Sequence, residues 1–359
     1  MPAHHWRVLR AIVQCRTAAL GGHHYRCGDC GAGHFVPHSC RNRHCPACQG
    51  ANGADWMNRQ CESLLPVPYF HVVFTLPHTL NALVAQNQAA LYKLLFDAAS
   101  ATLLAFFERE LDAQPGITAV LHTWSQTLLD HYHLHCIVTG GGLRTDGRRA
   151  AKPPHWLFPV RALSQMFRAK YRDGLRALFA ADALGCHGQL APLRDAPAFH
   201  RWLNEVCRGP WVVYAKRPFA GPRTVLAYLA RYTHRTGITN QRLESFDGER
   251  VTFRYKDYAD HARRKQMTLT REEFTRRFRL HILPPRFVRL RHYGLLSNRN
   301  RSRRIASARA AIRPAVRMRC QPPPPPPAPP PRCPQCAGEN LVLIHISRFA
   351  RTTKPPDSS

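Results

Sequence analysis

Apolar and polar positions change their period several times along the chain, and each change marks an element. Tyr69-Phe70-His71-Val72-Val73-Phe74-Thr75-Leu76 is aromatic and β-branched and stops at Pro77, the pattern of a central strand. Between Leu80 and Leu111, Leu83, Leu91, Leu94, Leu95, Leu103, Leu104 and Phe107 recur at helical spacing, which predicts one or two helices before a turn at Pro115-Gly116. Ile117 to Trp124 is strand-like again and runs through Ser125-Gln126 into His133-Leu134-His135-Cys136-Ile137-Val138. The two form a hairpin-like pair at the centre of a sheet, the second stopped by a turn at Gly140-Gly141-Gly142. Leu163, Met166, Phe167, Tyr171, Leu175 and Leu178 predict a further helix with basic residues interleaved, and Trp211 to Ala215 a further strand. Pro222 opens a helix that runs to Arg235. Val251, Phe253 and Tyr255 alternate with charged groups as in a strand or hairpin.

The chemistry lies on two of these elements. Alternate strand residues share a face, so His133 and His135 project together while Leu134 points into the core, and two imidazoles so placed can grip one metal ion. Gln126, seven residues before His133, is the expected third ligand from the neighbouring strand, with His131 as its rival. His122 reads as an ordinary sheet histidine. On the helix after Pro222, Tyr228 and Tyr232 are four apart and share a face one turn from each other. Arg231 and Arg235 lie beside them.

Cysteine and charge add a second theme. Thirteen cysteines in a chain that opens without a signal peptide favour metal over disulfides. Cys27-x-x-Cys30 and Cys45-x-x-Cys48 together supply the four thiolates of a closed zinc site, with Cys15 and Cys40 in reach of it. Arg41 and Arg43 sit between these knuckles, where a metal-fixed loop can present them to phosphate. Lys and Arg number 52 against 22 Asp and Glu, a formal charge of +30, which points to a polyanionic partner. No stretch reads as the roughly 20 apolar residues of a membrane span. Arg286 to Arg319, which holds Arg289 and Arg291, has no acidic residue and is the expected phosphate-backbone surface. Pro322 to Pro331 reads as an extended spacer, and Cys333-x-x-Cys336 beyond it is a lone knuckle, two thiolates short of a site. Residues 1–60 are therefore expected to form a zinc-binding module and linker helix, 61–300 the main domain, and 301–359 a basic, proline-rich tail.

Several of these segments resemble one family. Cys-Arg-Thr-Ala-Ala-Leu-Gly-Gly-His (15–23), Ser-Cys-Arg-Asn-Arg-His-Cys-Pro-Ala-Cys-Gln (39–49), Phe-Thr-Leu-Pro-His (74–78), Leu-His-Thr-Trp-Ser-Gln (121–126), His-Leu-His-Cys-Ile-Val-Thr-Gly-Gly-Gly-Leu (133–143), Trp-Val-Val-Tyr-Ala-Lys (211–216) and Tyr-Leu-Ala-Arg-Tyr-Thr-His-Arg (228–235) look like the IS91-type transposases, and the likeness extends through 291–296. That family is grouped with the HUH single-strand endonucleases. The resemblance implies an α+β fold with a palm-like central antiparallel sheet flanked by helices and a small N-terminal zinc module. It also implies metal binding by His133 and His135 and catalytic roles for Tyr228 and Tyr232. Tyr132 stands where the family has a proline. The activity implied is rolling-circle-type transposition through a covalent phosphotyrosine, with Mg2+ or Mn2+ at the histidines and Zn2+ in the knuckles. The partner implied is single-stranded or locally melted DNA, at element ends and target, for a soluble bacterial protein of the cytoplasm and nucleoid. The competing readings are a plasmid replication initiator or relaxase with the same chemistry, and a non-catalytic zinc-dependent DNA-binding protein. Sequence sets no oligomeric state.

Overall fold

A computed structural model of the chain describes residues 2–48, 63–153, 157–216, 224, 237–312 and 332–348. Two compact units emerge, Met1–Asn52 together with Gln321–Ser359, and Gly53–Cys320. The expected tail is thus divided. Its distal part belongs to the N-terminal unit and its proximal part to the larger one.

In the smaller unit β1 (Gly21–Cys27) is the middle strand of three, flanked antiparallel by β2 (Gly33–Pro37) and by β12 (Leu341–Arg348) from the far end of the chain. Leu341-Val342-Leu343-Ile344-His345-Ile346 is β-branched and apolar, so it pairs as a strand rather than trailing as a tail. Among the described residues this unit buries no leucine, isoleucine, valine or aromatic side chain. Its buried apolar groups are Cys27, Cys45, Cys48 and Cys333.

The larger unit is built on a six-stranded sheet of β3 (Tyr69–Thr75), β4 (Gln114–Trp124), β5 (Asp130–Leu143), β6 (Arg149–Ala151), β7 (Val213–Lys216) and, later in the chain, β11 (Leu290–Gly294). The order is β11-β4-β5-β3-β7, with β6 beside β5, and every pairing is antiparallel. One face carries Phe70, Val72, Phe74, Ala119, Leu121, Leu134, Cys136 and Val138 into the main core, against the helices Gln88–Leu111 and Val160–Ala180. The other face presents His71, His122, His133 and His135.

The helix Gln88–Leu111 corrects one expectation, since by length and composition it is long and apolar enough to cross a membrane. Leu91, Leu95, Phe96, Leu103, Phe106 and Phe107 on it are buried in the core, which accounts for its composition. A second sheet, the antiparallel meander of β8 (Leu243–Phe246), β9 (Arg250–Asp257) and β10 (Arg263–Thr270), packs Phe253 and Met267 on Phe274 and Phe278 of the helix Arg271–Leu280. Thr270 caps that helix by accepting from the Glu273 amide at 3.3 Å.

The three glycines also depart from expectation, for β5 continues through them to Leu143. Glycine is needed there because backbones converge. A Cβ on Gly141 would stand 2.3 Å from the Ala150 carbonyl oxygen, and one on Gly142 would stand 2.5 Å from that of Gln114. Gly141→Ala should therefore cost about 1–3 kcal/mol in a urea unfolding experiment, while Gly209→Ala, which meets nothing within 4 Å, should stay within about 0.5 kcal/mol.

Candidate active site

Three imidazoles converge on the face of the large sheet that lies opposite the main core. His122 of β4 lies directly opposite His133 of β5, and His135 follows two residues on, so all three share a face. Their ligating nitrogens lie within 4.8 Å of one another. The ring orientation is set from behind. His133 Nδ1 donates to the His131 carbonyl at 2.8 Å, and His135 Nδ1 is hydrogen-bonded to His71 Nε2 at 2.8 Å. A nitrogen so engaged is not available to an ion, so Nε2 is the atom that either ring could offer to one. Desolvation keeps these rings neutral: His133 is pushed down to about 3, and His71 to about 4 by burial and then by the Lys216 ammonium. Neutral imidazole is the form a metal needs.

His122 was missed as a ligand for a physical reason. Alternation along β4, with Ala119 and Leu121 in the core, turns His122 to the other face, but counting back from Trp124 opposite Asp130 regular pairing would set it against core-facing Tyr132 instead of His133. The register shifts between His122 and Trp124, an extra residue on β5 in the stretch of His131 and Tyr132, and the shift brings His122 round to His133. Buried His281 holds the adjoining turn, its Nδ1 3.1 Å from the Thr123 hydroxyl and its Nε2 2.9 Å from the Leu128 carbonyl.

The other expected residues fall as follows. Gln126 does not join the cluster: its side-chain oxygen accepts from the Lys256 amide at 3.5 Å and its carbonyl from Arg242, both toward the second sheet. His131 lends only its carbonyl, and its ring stacks on His78 with centroids 5.4 Å apart. Tyr132 is buried beside Tyr92. Tyr228, Tyr232, Arg231 and Arg235 lie outside the described residues. Arg291, expected at a phosphate surface, instead covers the rings of Phe96 and Phe287, its guanidinium 4.4 and 5.3 Å from their centroids. Arg289 is half-buried, and its carbonyl accepts from the Leu121 amide at 3.0 Å. Arg41 is exposed, with φ 50°, whereas Arg43 is half-buried and donates from Nε to His44 Nε2 at 3.3 Å.

The cysteines form two clusters rather than the one expected. Cys45 and Cys48 gather with Cys15 and Cys40, and Cys27 and Cys30 with Cys333 and Cys336. In the first cluster the Cys48 sulfur is 3.5 Å from that of Cys15 and 3.6 Å from that of Cys40, close to the edge of about 3.8 Å that zinc–sulfur bonds of about 2.3 Å impose on a tetrahedron. The Cys40 and Asn42 amides point at the sulfurs of Cys15 and Cys40, at 3.4 and 3.5 Å, which favours thiolate. Four thiolates so spaced fit zinc.

Comparison with known proteins adds identity to this geometry. Residues 116–304 match a family described as "Putative transposase", and residues 1–76 match one described as "Transposase zinc-binding domain" of the IS91 type. The "Putative transposase y4qJ" of Sinorhizobium fredii is 43% identical over 364 residues, covering 98% of this chain and 91% of that protein. The transposase for insertion sequence element IS801 of Pseudomonas savastanoi pv. phaseolicola is 30% identical over 291 residues, 80% of this chain and 69% of its own. Among solved structures, the conjugative relaxase TRWC in complex with DNA aligns over 45% of this chain and 68% of its own at 18% identity, with a TM-score of 0.25 too low to bear on the site.

His122→Ala should abolish Mn2+ binding at this centre, and His71→Ala should weaken it about 10–100-fold, while Gln126→Ala leaves it unchanged in a calorimetric titration. Acid should also loosen the metal-free fold. His71, His281 and His292 sit at about 4 and His133 at about 3 when folded, against 6.5 unfolded, so the unfolded chain takes up protons first. Stability is then fully present above pH 6.5 and is lost toward pH 4, each ring contributing up to about 1.4 kcal/mol per pH unit. A falling urea midpoint between pH 7 and pH 5 is the expected reading.

Proposed function

This chain belongs to the IS91-type transposases, and from that premise we propose that it cuts and rejoins one DNA strand through a covalent phosphotyrosine made by Tyr228 or Tyr232. What carries the proposal is the convergence of His122, His133 and His135, with the rings of His133 and His135 held from behind by the His131 carbonyl and by His71. The ion is Mg2+ or Mn2+, and three imidazoles suit Mn2+ or a later transition ion better than oxygen-seeking Mg2+. An ion bound there supplies positive charge to a scissile phosphate and to the charge that develops on it.

The protein's own groups do the rest. A phenol is a weak nucleophile at its ordinary pKa near about 10, and loses its proton as its oxygen bonds to phosphorus. The bond from phosphorus to the 3′ oxygen breaks, and that oxygen takes up a proton to leave a free 3′ hydroxyl. One phosphodiester is exchanged for another, so the strand can be rejoined by the reverse step without ATP. A second tyrosine four residues on in the sequence can cut again while the first still holds its strand. Arg41, Arg231, Arg235 and Arg289 are the residues proposed to track phosphates, on a chain of formal charge +30. The substrate is single-stranded or locally melted DNA at element ends and target, met in the bacterial cytoplasm at the nucleoid.

A labelled single-stranded oligonucleotide carrying an element end, incubated with Mn2+, should give an adduct that survives denaturation. Tyr228→Phe/Tyr232→Phe should abolish it and His122→Ala should lower it at least ~100-fold, about 2.7 kcal/mol of barrier. Tight binding with no adduct in the native protein would instead make this a DNA-binding protein whose histidines are structural.

A further inference from the structure

We propose that Cys27, Cys30, Cys333 and Cys336 bind a second structural zinc ion, separate from the Cys15, Cys40, Cys45 and Cys48 site, that joins the beginning of the chain to its end. Half of this ligand set lies beyond residues 1–76, where the zinc-binding family matches. Nothing about it depends on the transposition chemistry.

The geometry is that of a closed thiolate site. Cys27 and Cys336 sulfurs are 3.6 Å apart and Cys30 and Cys333 sulfurs 3.7 Å apart, far beyond the roughly 2.05 Å of a disulfide and near the tetrahedral edge of about 3.8 Å. The two knuckles are local copies of each other. Gly31 donates to the Cys27 carbonyl at 2.9 Å and Ala337 to the Cys333 carbonyl at 2.8 Å, while the Cys27 and Cys333 amides donate to Ala32 and Gly338 at 2.9 and 2.8 Å. The residue after each second cysteine is left-handed, Gly31 at φ 74° and Ala337 at φ 58°. Alanine adopts that conformation only at a steric cost, so something must hold it there. His34 Nε2 lies 3.1 Å from the Cys333 sulfur, where an imidazole N–H donating to it offsets the charge of four thiolates on one dication.

The fold around it also needs an ion. Cys27 ends β1 opposite Leu341, the first residue of β12, so the knuckles fix the register from Cys27 to Tyr25, and past a shift between Tyr25 and His24 the two strands pair on to Gly21 and Arg348. That pairing has almost no core, since Val342, Leu343, Ile344 and Ile346 are all exposed and cysteines supply the unit's buried apolar groups among the described residues. A unit this poor in burial is held by metal or not at all. Because the larger unit, Gly53–Cys320, is inserted between the two halves, one ion closes a loop of the whole domain.

Zinc counted on the full-length protein tests this, in a His122→Ala/His135→Ala background that silences the imidazole centre. Two equivalents are expected, falling to one in Cys333→Ser/Cys336→Ser and to one in Cys45→Ser/Cys48→Ser. Two equivalents kept by Cys333→Ser/Cys336→Ser, or a single equivalent that this change leaves untouched, would overturn the proposal. Should either variant aggregate, cobalt titration of the unsubstituted cysteines decides the matter. Thiolate-to-cobalt absorption growing to two equivalents supports the second site, and saturation at one refutes it.

Discussion

The pairing register of β4 and β5 is the constraint on which the larger unit depends. Strand side chains alternate, so a slip of one residue would exchange the histidine face for the core face along a whole strand. The main core fixes one parity through Leu121, Leu134, Cys136 and Val138, and the extra residue near His131 and Tyr132 then decides what faces the other way. Tyr132 goes into the core beside Tyr92, and His122 comes round to meet His133. A turn held by His281, Arg242 and Arg277 keeps that irregularity in place, the last donating to the Thr127 carbonyl at 3.0 Å.

Burial serves chemistry at this centre rather than opposing it. A metal centre made of imidazoles needs its rings uncharged and correctly turned, and a desolvated sheet face achieves both. Low polarity depresses proton affinity, while His71 and the His131 carbonyl each take up an Nδ1. A carboxylate in the same place would be costly to bury unpaired. Several acidic residues instead pair with basic ones, as Glu273 does with Arg276 and Arg277.

The smaller unit solves the opposite problem, having almost nothing to bury. Its strands expose apolar side chains, and its interior is sulfur. The charge of the chain is likewise less uniform in purpose than its sum suggests. Arg291 lies over aromatic rings, Arg304 donates to the Gly294 carbonyl at 3.1 Å, and Arg309 donates to that of Leu64 at 3.3 Å. Part of the expected phosphate surface is therefore cement within the larger unit.

Local pattern was enough for much of this. Strand and helix periods placed β3, β4, β5 and the two core helices, the His-x-His spacing put His133 and His135 on one face, and the ordered motifs pointed to the family. These features are written in neighbouring residues, within the reach of backbone geometry. Three others are not. That His122 lies against His133 depends on one extra residue in β5 that alternation cannot show, and the continuation of β5 through Gly140-Gly141-Gly142 depends on backbones from Ala150 and Gln114 coming close. The partner of the Cys27 and Cys30 knuckle lies some three hundred residues away, at Cys333 and Cys336. Counting cysteines along the chain favours the nearest knuckle, whereas strand pairing between β1 and β12 chooses the distant one.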